Sequence, residues 1–77
     1  MSGGLQEMTA GERGRIIGLG SGDRGYREKL LAMGLTPGTE FTVLRLAPLG
    51  DPVEISVRGS AVSLRRAEAQ LLKIQKL

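Results

Sequence analysis

Twelve consecutive residues, LLAMGLTPGTEF over positions 30–41, constrain the fold more than any other part of the chain. A helix leaves its last carbonyl groups without partners, and a glycine in the left-handed conformation can turn the chain back over them. If Gly34 is that glycine, Leu30 and Leu35 occupy the two positions that make the hydrophobic contact of a Schellman cap. The segment therefore begins with a predicted helix end that is capped by its own sequence.

The four residues that follow, Thr36 to Thr39, predict a tight turn. Pro37 presets φ at the second position, and Gly38 supplies the positive φ that a type II turn needs at the third. An apolar strand is predicted to start directly afterwards. The whole segment is thus expected to be a rigid corner between a helix and a strand, with the alternative that its surface also contacts a partner.

Hydrophobic periodicity predicts one helix. Tyr26, Leu30 and Met33 recur at i, i+4 and i+7, which predicts an apolar stripe on a helix over residues 23–33, with Ser21 or Asp23 as the N-cap. Elsewhere the period is two, which predicts short strands. These strands are expected at 15–19, from 39 to the loop at 47–52, at 53–58, in the run that ends at residue 64, and at 72–75, with one helical turn at 65–70.

A hairpin is predicted between the third and fourth strands. The dipeptide Gly59-Ser60 matches a type II′ turn, in which glycine comes first. That turn would pair Val57 with Val62 and Ile55 with Leu64, which joins apolar residues on one face. Short strands with one apolar face need closure. The predicted fold is therefore mostly β: a small, strongly bent five-stranded barrel with the α-helix inserted between the first two strands.

The length of the chain, 77 residues, allows one small domain. Residues 1–8 are predicted to be a flexible leader and residues 9–77 the domain. No apolar run approaches the length of a membrane span, so direct membrane insertion is not expected. No signal peptide is visible either, which favours a cytoplasmic location.

The amino-acid composition excludes most catalytic and metal-binding chemistry. The chain has no cysteine and no histidine, so it lacks thiolates, the commonest general base and the commonest metal ligand. The best-placed carboxylate pair, Asp51 and Glu54, would give at most a weak, unselective or partner-shared site for a divalent transition metal. We therefore expect no enzyme activity, no metal-ligating residues and no cofactor.

The net charge of +3 would suit nucleic acid, but the basic residues are dispersed and only Tyr26 and Phe41 are aromatic. Two aromatic side chains cannot form a base-stacking platform, so nucleic acid is not the expected partner. A protein-binding module is the class that remains.

Candidate partner-binding residues follow from that class. Leu49, at a predicted loop tip, is an apolar anchor, with the alternative that it folds back onto the barrel. Leu35 is a second anchor, although the predicted cap also uses it. Arg24, Arg27 and Lys29 on the helix form a candidate polar rim, with the alternative that they are simply a solvated face.

Several runs together carry a family resemblance: AGERGRIIGL at 10–19, REKLLAMGLTPGTEFTVL at 27–44, APLGDPVEISVRGSAVSLR at 47–65 and AEAQLLKI at 67–74. With these, the chain resembles the FeoA family of small accessory proteins of ferrous iron transport. The resemblance implies an SH3-like barrel and a cytoplasmic protein that docks on FeoB, the membrane GTPase that moves Fe²⁺. The same module occurs at the C-terminus of metal-dependent repressors. A metal-responsive regulatory domain and a nucleic-acid-binding small barrel therefore stay open as alternatives.

Overall fold

Five antiparallel strands form one sheet. The computed structural model describes residues 5–20, 22, 24–47 and 51–77. The strands are β1 Arg13–Leu19, β2 Glu40–Leu46, β3 Val53–Val57, β4 Ser60–Leu64 and β5 Leu72–Lys76. Their order across the sheet is β4-β3-β2-β1-β5. The helices are α1 Arg24–Ala32, between β1 and β2, and the short α2 Arg66–Ala69. The predicted mostly β architecture, with one helix inserted between the first two strands, is confirmed.

The predicted corner is present in atomic detail. Gly34 has φ +87°, and its amide donates to the Leu31 carbonyl at 3.0 Å. The Leu35 amide donates to the Leu30 carbonyl at 3.0 Å, which completes a Schellman cap. Both leucines of the predicted contact, Leu30 and Leu35, are fully buried. The helix end is therefore locked by backbone bonds and by core packing together.

The turn after the cap is also as predicted, and it is fixed to β1. The Thr39 amide donates to the Thr36 carbonyl at 3.1 Å, and Gly38 has φ +93°, as in a type II turn. The Gly38 amide donates to the Ile16 carbonyl at 2.6 Å, while the Ile16 amide donates to the Thr39 carbonyl at 2.8 Å. These two bonds hold the corner against the first strand.

The helix stripe is less buried than its periodicity predicts. Leu30 is buried, but Tyr26 is 39% exposed and Met33 is only partly buried. The difference arises because α1 meets the sheet through its last turn, where Leu30 and the cap enter the core. Ser21 and Asp23, the predicted N-caps, lie outside the described residues.

The predicted hairpin exists, but the predicted register of its two strands is wrong by two residues. The two turn residues are Arg58 and Gly59, with φ +53° and +82°, and they bring Val57 opposite Ser60. Positive φ at both central positions defines a type I′ turn, which suits the twist of the strands. Ile55 consequently pairs with Val62. Because the observed register differs from the predicted one by an even number of residues, the apolar side chains stay on the same face of the sheet.

A flexible leader is expected from the sequence over residues 1–8, but residues 5–8 are part of the folded domain. Leu5 begins a 3₁₀ turn that ends at Glu7, and the Met8 amide donates to the Leu5 carbonyl at 3.1 Å. Leu5 and Met8 are each 1% exposed and belong to the core. The reason is hydrophobic: two large apolar side chains join the core instead of remaining in water.

Bulges in two strands place large aliphatic side chains on the surface. The β2–β3 register shifts between Val43 and Arg45, and the extra residue, Leu44, is 46% exposed. The β1–β5 register shifts between Ile16 and Gly18, and the extra residue, Ile17, is 54% exposed. The β2 bulge explains the irregular alternation of that strand in the sequence.

Candidate partner-binding surface

Two arginines of β1 hold one glutamate of β2 on the outer face of the sheet. Arg13 Nη2 lies 2.7 Å from Glu40 Oε1, and Arg15 Nη2 lies 3.2 Å from Glu40 Oε2. The strands pair Arg15 directly with Glu40, and Arg13 is two residues along on the same face. The three side chains are 42% to 61% exposed, so the cluster adds little to stability and presents charge to solvent.

A shallow depression of about 550 Å³ adjoins this cluster. The type II turn forms one wall of it, and Glu40 and Arg58 complete the lining. A second, smaller hollow of about 200 Å³ shares Glu40 and Arg58 with the first and continues to Arg13, Thr42 and Ser56. The lining of both hollows is mainly polar.

The charge balance of this surface is positive. Arg13, Arg15 and Arg58 face one carboxylate, that of Glu40, and Arg58 has no ion pair within the described part of the chain. Arg58 is exposed at the tip of the hairpin. A guanidinium with free donors suits a carboxylate or another anion, so the surface fits an acidic group of a partner.

Sequence reasoning missed this surface because its members are distant along the chain. The alternation of Arg13 and Arg15 was the one available signal, since residues two apart on a strand share a face. The strand pairing that brings Glu40 and Arg58 beside them was needed to complete the set.

The structure places the sequence-predicted site residues that it describes in three different environments. Arg24 and Arg27 are exposed on α1, as a polar rim requires. Lys29 instead forms an ion pair with Glu68 of α2, with Nζ to Oε2 at 2.6 Å. Leu35 is 0% exposed, so its assignment as a surface anchor is wrong: the cap takes its side chain into the core. Leu49 lies outside the described residues.

The carboxylates of the described residues do not gather into a metal site. No group of three possible metal-ligating side chains occurs among them. Glu40 is held by two arginines and Glu68 by Lys29. Glu12 accepts from the Thr9 amide at 2.7 Å and pairs with Lys76 at 3.0 Å, and these contacts hold the pKa of Glu12 below its usual value. The donor set therefore does not fit a divalent ion in the described part of the chain.

The chain matches the model of the FeoA domain over residues 4–76. It is 34% identical, over 92% of its length, to a Porphyromonas gingivalis protein described as an Fe(2+) transport protein A/Fe(2+) transporter FeoB fusion, and it spans 8% of that protein. No helix in the described part of the chain is long and apolar enough to cross a membrane.

Solved structures agree with this match. A FeoA protein from Chlorobium tepidum is 35% identical and superposes with a TM-score of 0.85, covering 97% of this chain and 70% of the other. A Stenotrophomonas maltophilia FeoA solved with zinc, described as an SH3 domain protein, has a TM-score of 0.81 at 18% identity, covering 96% and 91%. A manganese-dependent transcriptional repressor in complex with manganese has a TM-score of 0.89 at 17% identity, covering 97% and 36%. The last two show the fold, which is the predicted SH3-like one.

Proposed function

Because the chain belongs to the FeoA domain family, an accessory and non-catalytic family linked to ferrous iron transport, we propose that it docks on a FeoB-type membrane GTPase transporter and modulates it. In this proposal the protein works on the cytoplasmic side, where it changes the conformational balance of the transporter and does no chemistry of its own.

One observation carries the proposal. In the Porphyromonas gingivalis relative, a region similar to this chain and the Fe(2+) transporter FeoB are parts of a single polypeptide. Covalent linkage holds two modules at a high effective concentration, which is useful when the two bind each other. A separate chain of the same family would meet the same partner by diffusion.

The surface chemistry is compatible with this role. The exposed charges of α1, at Arg24 and Arg27, and the arginines around Glu40 give a polar and positively charged exterior. Such surfaces steer and orient protein association more than they add affinity. An apolar anchor is also expected in an interface, and Leu49 remains the proposed one.

Co-purification tests the proposal directly. The chain carrying an affinity tag is incubated with full-length FeoB in detergent, and retention is compared with that of an unrelated membrane transporter. We expect FeoB to be retained selectively, and we expect cells that lack the chain to take up less ferrous iron. Failure to retain FeoB, together with normal uptake in those cells, would overturn the proposed function.

The anchor is tested by a matched pair of substitutions. Leu49→Asp is expected to weaken binding to FeoB while leaving the thermal melt nearly unchanged. Leu44→Asp introduces the same change at an exposed leucine of the β2 bulge and is expected to leave binding unchanged. If Leu49→Asp unfolds the protein, or if both variants bind FeoB as the parent chain does, Leu49 is not the anchor.

A further inference from the structure

Strand β4 forms one edge of the sheet, and its outer side is open within the described part of the chain. It pairs with β3 on one side, and no described strand pairs with it on the other. Ser60, Ala61 and Ser63 are exposed, Val62 is half-buried and Leu64 is buried. The edge therefore presents backbone groups flanked by small side chains.

The hairpin geometry fixes which backbone groups point outwards. A two-residue turn closes on a pair that exchanges both hydrogen bonds, here Val57 and Ser60. Pairs then alternate along the ladder, so the amides and carbonyls of Ala61 and Ser63 face away from β3. No other backbone hydrogen bond of the described residues uses these groups. They form a short template for an additional strand.

The two edges of the sheet differ in how they are protected. The opposite edge, β5, carries the exposed lysines Lys73 and Lys76, and charged side chains are a usual defence against unwanted strand pairing. From Ser60 to Leu64, β4 has no charged residue and no proline. An unprotected edge of this kind suits the addition of a strand from another chain.

Arginines flank the open edge at both ends. Arg58 precedes β4, and Arg65 and Arg66 follow it; all three are exposed, and none makes an ion pair with another described residue. The spacing from Arg58 to Arg65 is seven residues, which corresponds to about 23 Å along a strand. The edge is thus an uncharged strip between two positive ends.

We propose that the β4 edge binds an extended segment of a protein partner, which adds to the sheet as an outer strand and carries acidic residues at both ends. Backbone hydrogen bonds to Ala61 and Ser63 provide the docking, and the arginine side chains select the acidic ends. The inference deepens the proposed function, on which it rests only for the identity of the partner.

The same charges disfavour a second copy of this chain as the occupant. Antiparallel pairing of two β4 strands about Val62 places Arg58 of one copy opposite Arg66 of the other. Like charges directly opposite each other destabilise strand pairing. In this register the flanking arginines therefore act against self-association, whereas they attract an acidic segment.

A synthetic peptide tests the edge without the transporter. The eight-residue probe ETVTVTVE places its two acids seven positions apart, and KTVTVTVK is the charge-reversed control. Titrating each into the isotope-labelled full chain, we expect the acidic probe to shift the amide signals of Ala61 and Ser63 and to slow their hydrogen exchange. Shifts confined to α1 or to the outer face of the sheet, or no shifts at millimolar probe, would overturn the proposal.

Two sets of variants distinguish the contribution of backbone hydrogen bonds to probe binding from the contribution of charge. Ser63→Pro removes an outward amide but leaves the β3 ladder intact, so it should fold and bind the probe about tenfold more weakly, the loss expected for one hydrogen bond. Arg58→Asn removes the charge with a residue that tolerates positive φ, and it should also weaken binding. Lys73→Gln on the opposite edge removes one charge as a control and should have no effect. Equal affinity in the parent chain, Ser63→Pro and Arg58→Asn would contradict the proposal. If Ser63→Pro failed to fold, equal affinity in Arg58→Asn and the parent chain would contradict it.

Binding to full-length FeoB distinguishes the two proposals. If the parent chain binds FeoB and Arg58→Asn and Ser63→Pro do not, both are supported. If the parent chain and these variants bind FeoB equally, the proposed function stands and the edge is not the docking site. If FeoB is not bound but the acidic probe adds to β4, the edge inference stands and the proposed partner is wrong. A dimer of the parent chain that Ser63→Pro dissociates would overturn the proposal in favour of self-association.

Discussion

The ammonium group of Lys29 lies 2.6 Å from Oε2 of Glu68, and this ion pair ties α1 to α2. The Glu68 side chain is 2% exposed, whereas that of Lys29 is 54% exposed. The second oxygen, Oε1, accepts from the Arg65 amide at 2.9 Å. Lys29 and the Arg65 amide hold the pKa of Glu68 below its usual value, against the opposing effect of burial. Each oxygen of a buried carboxylate therefore has a donor.

Removing Lys29 should destabilise the fold. Lys29→Met keeps the aliphatic stem but leaves a buried carboxylate short of one partner, so we expect a loss of about 1–3 kcal/mol in the free energy of unfolding, measured by urea denaturation. Lys76→Met is the control, because its partner Glu12 is one-third exposed and water can replace the lysine there. Equal and small losses in the two variants would show that the Lys29–Glu68 pair is not structural.

The lowered pKa of Glu68 predicts how stability depends on pH. The folded state releases the proton more readily than the unfolded chain, so the stabilisation is complete above the ordinary pKa of 4.5. It is lost as the pH falls through that value and then through the lower folded pKa. The difference in unfolding free energy between the parent chain and Glu68→Gln should therefore narrow on acidification. A difference that stays constant from neutral to acidic pH would contradict the assignment.

The parts of the fold that were predictable from sequence are those decided locally. Gly34 and Gly38 each adopt a positive φ, and the helix end and the turn that require it lie within a few residues of them in the sequence. The hairpin register failed because the glycine-first turn rule did not allow for Arg58 in the left-handed region. The Lys29–Glu68 pair has no local signal, because the two residues lie far apart in the sequence and only the tertiary fold brings α1 and α2 together.

The helix cap predicts whether a glycine-to-alanine substitution stabilises or destabilises the protein. A Cβ at Gly34 would meet no atom within 4 Å, so the cost of Gly34→Ala is conformational only, and we expect about 1 kcal/mol of destabilisation. Gly34→Asn should cost less, since asparagine tolerates positive φ. Gly25→Ala, within α1, should be neutral or stabilising. Urea melts in which Gly34→Ala and Gly25→Ala have the same sign would contradict the cap.

The side chains available as metal ligands predict how the isolated chain binds ferrous iron, the ion that the proposed partner transports. With no histidine and no cysteine, selective coordination would rest on carboxylates, and those of Glu12, Glu40 and Glu68 are already paired with cations. We therefore expect no tight, selective Fe²⁺ site. Anaerobic calorimetry that gave one-to-one, sub-micromolar binding would contradict this prediction.

Gly14 of β1 lies directly opposite Phe41 of β2, and the ring occupies the space that a side chain at position 14 would need. A Cβ there would lie 2.6 Å from Phe41 Cζ and 3.2 Å from the Gln75 carbonyl oxygen. Phe41 is 2% exposed, so its ring cannot move aside into solvent. We expect Gly14→Ala to destabilise the protein by about 1–3 kcal/mol, the usual cost of overpacking.

A second substitution tests whether the ring is the cause of that cost. Phe41→Leu alone should also destabilise, because it leaves a cavity in the core. The double variant Gly14→Ala, Phe41→Leu should lose less stability than the two single losses added together, because the new methyl group enters the vacated space. Gly18→Ala is the control, since its Cβ would meet only Lys73 Cδ at 3.9 Å, an ordinary contact. Strict additivity in the double variant would show that the Gln75 backbone, and not Phe41, excludes a side chain at position 14.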